Sequence, residues 1–289
     1  MNRHLKTFLL SLSIVLLIVG CELASEQQNP KSSSQKVDVG GFKLNIQVMG
    51  EGYPAVIMDS GSGDTLKSWE KVQPRVAEFT KSVSYDRAGL GQSEPGPEPR
   101  SAEQVAKELH TLLKNADIQP PYVLVGHSLG GIHILTYANI FPDEIAGMIF
   151  VDTKDGTTFD GWKADLQQEK YEQLFNNFDN FYRNAKGTLK AEWEALKKTI
   201  GRPQRMENLP DVPVVVLTSI RLSDEEKKFG LTQEVVKSSL RVHKELSERF
   251  PRNTHITTQK SGHYIHIEEP ELVVSEIRKI VDMVRSENR

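Results

Sequence analysis

The segment Gly126-His127-Ser128-Leu129-Gly130 sets a hydroxyl between two glycines, each two residues away. Tyr122–Val125 before it reads as a short buried strand and Leu129–Ile140 after it as a helix. A strand-to-helix turn this tight strains the backbone at its apex, and flanking glycines avoid clashes there. The hydroxyl then projects above the carboxyl edge of a sheet. It also stands at a helix N-terminus, whose partial positive charge stabilises an anion. A serine so placed is a nucleophile for acyl transfer once a base stands beside it.

Eight histidines compete for that role. His263, in Ser261-Gly262-His263, follows the last predicted strand and precedes a helix, and it fits the chain order serine, acid, histidine. His266, three residues on, is the weaker alternative. His110 and His243 fall on predicted helices and read as surface residues. His133 reads as packed, and His127 points another way along the turn. For the acid, Asp152 ends the apolar run Met148–Val151 at the carboxyl edge of a strand, where functional groups of an α/β sheet gather. Asp224 and Asp155 are the alternatives.

These residues need a scaffold, and the chain supplies strands alternating with helices. Val37–Val39 and Phe42–Val48 flank Gly40-Gly41 as a hairpin. Strands follow at Ala55–Met58, Val83–Tyr85, Tyr122–Val125, Met148–Val151, Val212–Leu217 and His255–Thr258. Leu66–Phe79, Ser101–Asn115, Leu129–Ile140 and Glu271–Val284 read as helices, with Ser101 as an N-cap. Such alternation means crossover connections and a largely parallel sheet covered on both faces. Residues 154–210 interrupt it: no convincing strand, and eight aromatics, most at helical spacing. This predicts a helical cap (154–210) on a core made of 37–153 and 211–289. Most of those aromatics should pack inward, with a few lining a pocket.

Three segments together resemble the α/β-hydrolase fold, specifically its cap-bearing esterase- and lipase-like branch. They are Gly126–Gly131, Asp86-Arg87-Ala88-Gly89-Leu90-Gly91-Gln92-Ser93, and Gly262-His263 with Glu268 and Pro270 behind it. The resemblance spans residues 37–285. It implies a Ser128–His263–Asp152 triad cleaving a carboxylic ester or similar acyl bond through an acyl-enzyme, with no cofactor and no metal. It also implies an oxyanion hole from the N–H groups of Leu129 and Ser62. Relatives commonly carry a histidine where this chain has Ser60. In many of them the acid follows the later strand, at a place Leu222 occupies here, with Asp224 two residues beyond. Asp86 and Arg87 are expected to hold their own glycine-rich loop. Dehalogenation and epoxide opening are disfavoured, because those relatives carry an aspartate at the nucleophile position. Two other readings compete: a cofactor-free lyase or peroxidase reusing the triad, and a non-catalytic binding module on the same fold.

Composition excludes several classes. The 289 residues carry 36 basic and 39 acidic side chains, a net charge of −3, so no basic surplus exists to neutralise nucleic-acid phosphates. The single cysteine, Cys21, leaves no intrachain disulfide. Mean hydropathy is −0.43, which excludes a multi-span membrane protein.

The N-terminus departs from this average. Arg3 and Lys6 precede an apolar run from Phe8 to Val19 that falls short of the about twenty residues a bilayer needs. Positive flank, short apolar core and small residues match a secretory signal. Ile18-Val19-Gly20-Cys21 resembles the bacterial lipobox. That resemblance implies removal of residues 1–20, acylation of Cys21 and a place on the extracytoplasmic face of the cell membrane. Residues 21–36, mostly polar, are then a flexible tether. On this reading Cys21→Ser leaves the protein unprocessed or outside the membrane fraction, while turnover of a soluble ester scarcely changes. Cell fractionation with an ester assay checks both.

Overall fold

The computed structural model describes residues 32–202 and 206–287. The expected signal segment 1–20, Cys21 and the tether up to residue 31 lie outside the described residues. Eight strands form one sheet: β1 (Ser32–Asp38), β2 (Lys43–Met49), β3 (Ala55–Asp59), β4 (Ser82–Tyr85), β5 (Tyr122–His127), β6 (Ile145–Val151), β7 (Val214–Ser219) and β8 (Asn253–Thr258). Their spatial order is β1-β2-β4-β3-β5-β6-β7-β8. Only the β1–β2 and β2–β4 pairs are antiparallel. The rest run parallel, with their carboxyl ends along one edge.

The helices are α1 (Gln73–Val76), α2 (Ala102–Asn115), α3 (Leu129–Ile140), α4 (Gly156–Asp165), α5 (Gln168–Arg183), α6 (Thr188–Lys197), α7 (Asp224–Phe229), α8 (Gln233–Ser247), α9 (Ile265–Glu268) and α10 (Pro270–Glu287). None of the described helices is long and apolar enough to cross a membrane.

Strands β3, β4, β5 and β7 are buried at every residue because both faces of the sheet are covered. Alternate side chains enter two separate cores. Ile57, Leu124, Phe150 and Val216 pack with Leu109, Ile134 and Leu246 of α2, α3 and α8. Val56, Val125, Ile149 and Val215 pack on the other face with Val76 of α1 and Ile277 and Ile280 of α10.

Two expectations are corrected here. The tether was expected to run through residue 36, but β1 begins at Ser32 and pairs with β2 from Ser32↔Met49 to Asp38↔Lys43. An edge strand is held by main-chain hydrogen bonds, so the exposed side chains of residues 32–36 leave no hydrophobic pattern to read. The helix expected over residues 66–79 is two short pieces, a 3-10 turn at Leu66–Trp69 and α1. Pro74 has no N–H to bond back across a helical turn and its ring crowds that turn, so the helix breaks before it and Pro74 stands in the first turn of α1.

A third apolar cluster stands over the carboxyl edge. Phe159 and Trp162 of α4, Leu174 of α5 and Trp193 of α6 form its centre. Leu222, Phe229, Leu231 and Val235, all beyond β7, pack into the same cluster. The helical cover is therefore assembled from both sides of β7, and residues 154–210 do not contain all of it.

Candidate active site

β5 ends in His127, and α3 starts one residue after Ser128. Ser128 sits at φ 50°, ψ −119°, a conformation that non-glycine residues rarely adopt. Its N–H donates to the Val151 carbonyl at 3.1 Å, tying the turn to the end of β6. The flanking glycines are required by close backbone approach. A Cβ on Gly126 would lie 2.5 Å from the Gly130 oxygen, and one on Gly130 would lie 2.4 Å from the Asp59 oxygen. The turn is thus pressed against the end of β3, and the loop after β3 is brought beside Ser128.

His263 lies in the loop between β8 and α9. Its Nε2 is 3.0 Å from Ser128 Oγ, and its Nδ1 is 2.7 Å from Asp152 Oδ2. Asp152 follows β6 at φ 42°. Its Oδ1 accepts the Ser219 N–H at 2.9 Å, and Lys154 Nζ reaches Oδ2 at 3.3 Å. A carboxylate can only accept, so Nδ1 carries the imidazole proton and Nε2 is free to accept the serine proton. Burial opposes ionisation of Asp152. The Lys154 charge and the hydrogen bond from His263 outweigh it and hold the carboxyl well below the usual carboxylate range.

The rival residues are elsewhere engaged. Asp155 caps α4, accepting from the Thr158 N–H at 2.9 Å. Asp224 is exposed at the start of α7 and pairs with Lys227. His266 is fully buried against the Trp69 ring, 4.5 Å between centroids. His133 is packed 3.4 Å from Asp59. His127 is also buried, and its Nε2 donates to the His263 carbonyl at 3.1 Å, fixing the backbone of that loop.

His243 corrects an expectation: read as a surface residue, it is 1% exposed. Its Nε2 donates to the Thr153 carbonyl at 2.7 Å, and its Nδ1 accepts from Thr218 Oγ1 at 2.9 Å. It braces the chain immediately after Asp152 against β7. Its spacing with Val236, Ser239 and Leu246 along α8 was the signal that could have found it.

His127, His243 and His266 are all held neutral, with burial the main cause in each. Burial pushes His243 down to about 4 and His266 to about 3. An unfolded histidine takes up its proton near 6.5. Below that pH the unfolded chain binds protons that the folded chain excludes. Stability is therefore complete above 6.5 and falls as the pH drops toward those folded values. The loss is about 1.4 kcal/mol per pH unit for each such histidine. Melting temperature should decline between pH 6.5 and 4, and His243→Gln should make that decline shallower. A melting temperature constant over that range contradicts the assignment.

Ser62 lies in the loop after β3 and Leu129 is the first residue of α3, and both line the cavity beside Ser128. Gly61, Ser62, Ser128, Leu129 and His263 border one cavity of about 940 Å³. Phe159, Trp162, Phe178, Phe181, Tyr182 and Trp193 also line it, together with charged residues that include Lys154, Arg221 and Glu226. Ser60, which stands where relatives commonly have histidine, supports the loop through its own hydroxyl. Ser60 Oγ donates to the Thr65 carbonyl at 3.0 Å and lies 3.0 Å from Ser68 Oγ.

The glycine-rich loop after β4 is held as expected by Asp86, which accepts from the N–H groups of Leu66 and Gln92. Arg87 differs from expectation. It leaves that loop and is buried between Asp59 and Glu192 of α6. Nothing in the sequence pairs Arg87 with a residue 105 positions away.

The family described by the alpha/beta hydrolase fold matches residues 54–210, more than half of the chain. The chain belongs to that family. As an α/β hydrolase it is 27% identical over 222 residues to the uncharacterized protein YqjL of Bacillus subtilis, covering 75% of this chain and 79% of that one. Among solved structures it resembles an esterase from Thermogutta terrifontis with a TM-score of 0.59 at 18% identity, covering 87% of this chain and 99% of that one. It also resembles the carboxylesterase CesB from Bacillus subtilis with a TM-score of 0.59 at 14% identity, covering 86% and 91%. At such identities the likeness to the two structures is one of fold.

Proposed function

We propose that this α/β hydrolase is a serine hydrolase that cleaves carboxylic esters of apolar acyl or aryl groups. The observation that carries the reading is the unbroken hydrogen-bonded chain from Ser128 Oγ through His263 to buried Asp152, opening into an aromatic-walled cavity. Ser128 Oγ attacks the acyl carbonyl and its proton passes to His263 Nε2. His263 returns the proton to the leaving alcohol, giving an acyl-enzyme. Water then repeats the sequence and releases the acid. Asp152 holds the imidazole in the reactive tautomer and stabilises the imidazolium. The N–H groups of Ser62 and Leu129 receive the charge that develops on the carbonyl oxygen.

An esterase and a carboxylesterase are among the proteins that share this fold, and the ester is proposed as substrate by that analogy of fold alone. Attachment to a membrane through acylated Cys21 is part of the proposal, and the Cys21→Ser fractionation described above tests it. The test of the activity is turnover of p-nitrophenyl esters of increasing chain length, together with labelling by a fluorophosphonate probe. Turnover with label at Ser128 supports the reading, and a wild-type protein that takes no label and hydrolyses none of the esters overturns it.

A further inference from the structure

Arg87 is 2% exposed, and its guanidinium reaches five acceptor atoms. Nη1 donates to Asp59 Oδ1 at 2.7 Å and to the Ser60 carbonyl at 2.6 Å. Nη2 donates to the Gly61 carbonyl at 2.6 Å and to Glu192 Oε2 at 3.2 Å. Nε donates to Glu192 Oε1 at 2.7 Å. Two of the five are consecutive carbonyls of the loop that borders Ser128. In a trans peptide the N–H points opposite to the C=O. Holding the Gly61 carbonyl therefore fixes the direction of the Ser62 N–H, away from the guanidinium. The Asp64 N–H, 3.2 Å from the same carbonyl, closes the turn from the other side.

We propose that Arg87 is a positioning residue for the oxyanion hole, aiming the Ser62 N–H, and that Glu192 of the cap completes this device. The inference rests on the serine-hydrolase reading above. Planar geometry explains why the residue is arginine: one rigid fork spans two loop carbonyls and two carboxylates, which a lysine ammonium cannot do. Glu192 supplies the second countercharge and fixes the plane of the fork through Nε and Nη2. It also lies 3.4 Å from both the Gly63 N–H and Ser62 Oγ. The oxyanion loop is thus gripped from below by a core arginine and from above by a cap carboxylate.

The test compares wild-type full-length enzyme with Arg87→Lys and Glu192→Gln. Deleting an oxyanion donor costs on the order of 10²–10³ in kcat, and misaiming one costs less. Arg87→Lys is expected to lower kcat about tenfold to a hundredfold with KM within about threefold. Glu192→Gln, which keeps the side-chain shape, is expected to lower kcat at least about fivefold. An alkyl boronic acid provides the second readout. Ser128 Oγ adds to boron as its proton passes to His263, and a boron-bound oxygen occupies the oxyanion position. Its inhibition constant should rise by the factor by which kcat falls, a correspondence that a merely structural role would not produce. If Arg87→Lys does not fold, Glu192→Gln carries the same two readouts. Unchanged kcat in a folded variant, or a lower kcat with unchanged boronate affinity, overturns the inference alone. A wild-type protein that takes no fluorophosphonate label overturns the serine-hydrolase reading and the inference with it.

Discussion

Ser128→Ala is expected to lower ester turnover by about 10⁶-fold and to abolish fluorophosphonate labelling. Among the described residues the Ser128 hydroxyl is the hydrogen-bond partner of His263 Nε2, so its removal takes away the proton that the imidazole would accept. The fold should survive. The strained φ of 50° belongs to the backbone turn, which is fixed by the Ser128 N–H bond to Val151 and by the glycine contacts on either side. Residual hydrolysis should come from the oxyanion donors and binding alone. Steady-state kinetics with intact-protein mass spectrometry after probe treatment reads both effects. A variant with turnover within tenfold of wild type would move the nucleophile away from Ser128.

The second large effect belongs to the acid. Asp152→Asn is expected to keep the shape of the site and to cost on the order of 10⁴ in kcat. The amide can present an N–H toward His263 Nδ1, which favours the tautomer with the proton on Nε2, and it cannot stabilise the imidazolium. The carboxylate makes two further contacts, from the Ser219 N–H and from Lys154, so some loss of stability should accompany the kinetic loss. Asp224→Asn serves as the control. Its side chain is exposed on α7 and paired with Lys227, and the expected change is less than about threefold. A near-silent Asp152→Asn with a crippled Asp224→Asn would return the acid to the loop after β7.

The parts of this site legible in the sequence are those set by short-range constraints. The turn at Ser128 was visible because of the strand–helix pattern around it and because Gly126 is demanded by the backbone of Gly130, four residues on. Asp152 stood out because a single carboxylate ends an otherwise apolar strand. The parts that escaped depend on distant partners. Arg87 meets Glu192 only after the chain has formed a cap and returned, and nothing in Thr188–Lys197 singles out one glutamate among its charged neighbours. His243 shares a helical face with Val236, Ser239 and Leu246, but its polar ring outweighed that spacing while the carbonyl it bonds was unknown. The extent of the cap was misjudged for a similar reason. Leu222, Phe229 and Leu231 follow a core strand in sequence yet pack with the cap in space.

The long insertion leaves the sheet at the end of β6 and the chain re-enters at β7, a parallel neighbour of β6 in the sheet. Parallel neighbours require a crossover in any case, so the cap is an enlargement of a connection that the topology already demands. Doubling the length of such a connection costs only about 0.6 kcal/mol in closure entropy. Ser128 and His263 lie outside that connection, and Asp152 stands at its threshold. The reacting groups and the part of the chamber wall built by α4–α6 can therefore change independently over evolutionary time, while Leu222, Phe229 and Leu231 beyond β7 stay in place. Glu192 sets a condition on that freedom. Any replacement cap must bring an acid to Arg87, or leave a buried cation with one partner fewer. The cap is an exchangeable part whose contact with Arg87 carries a buried charge.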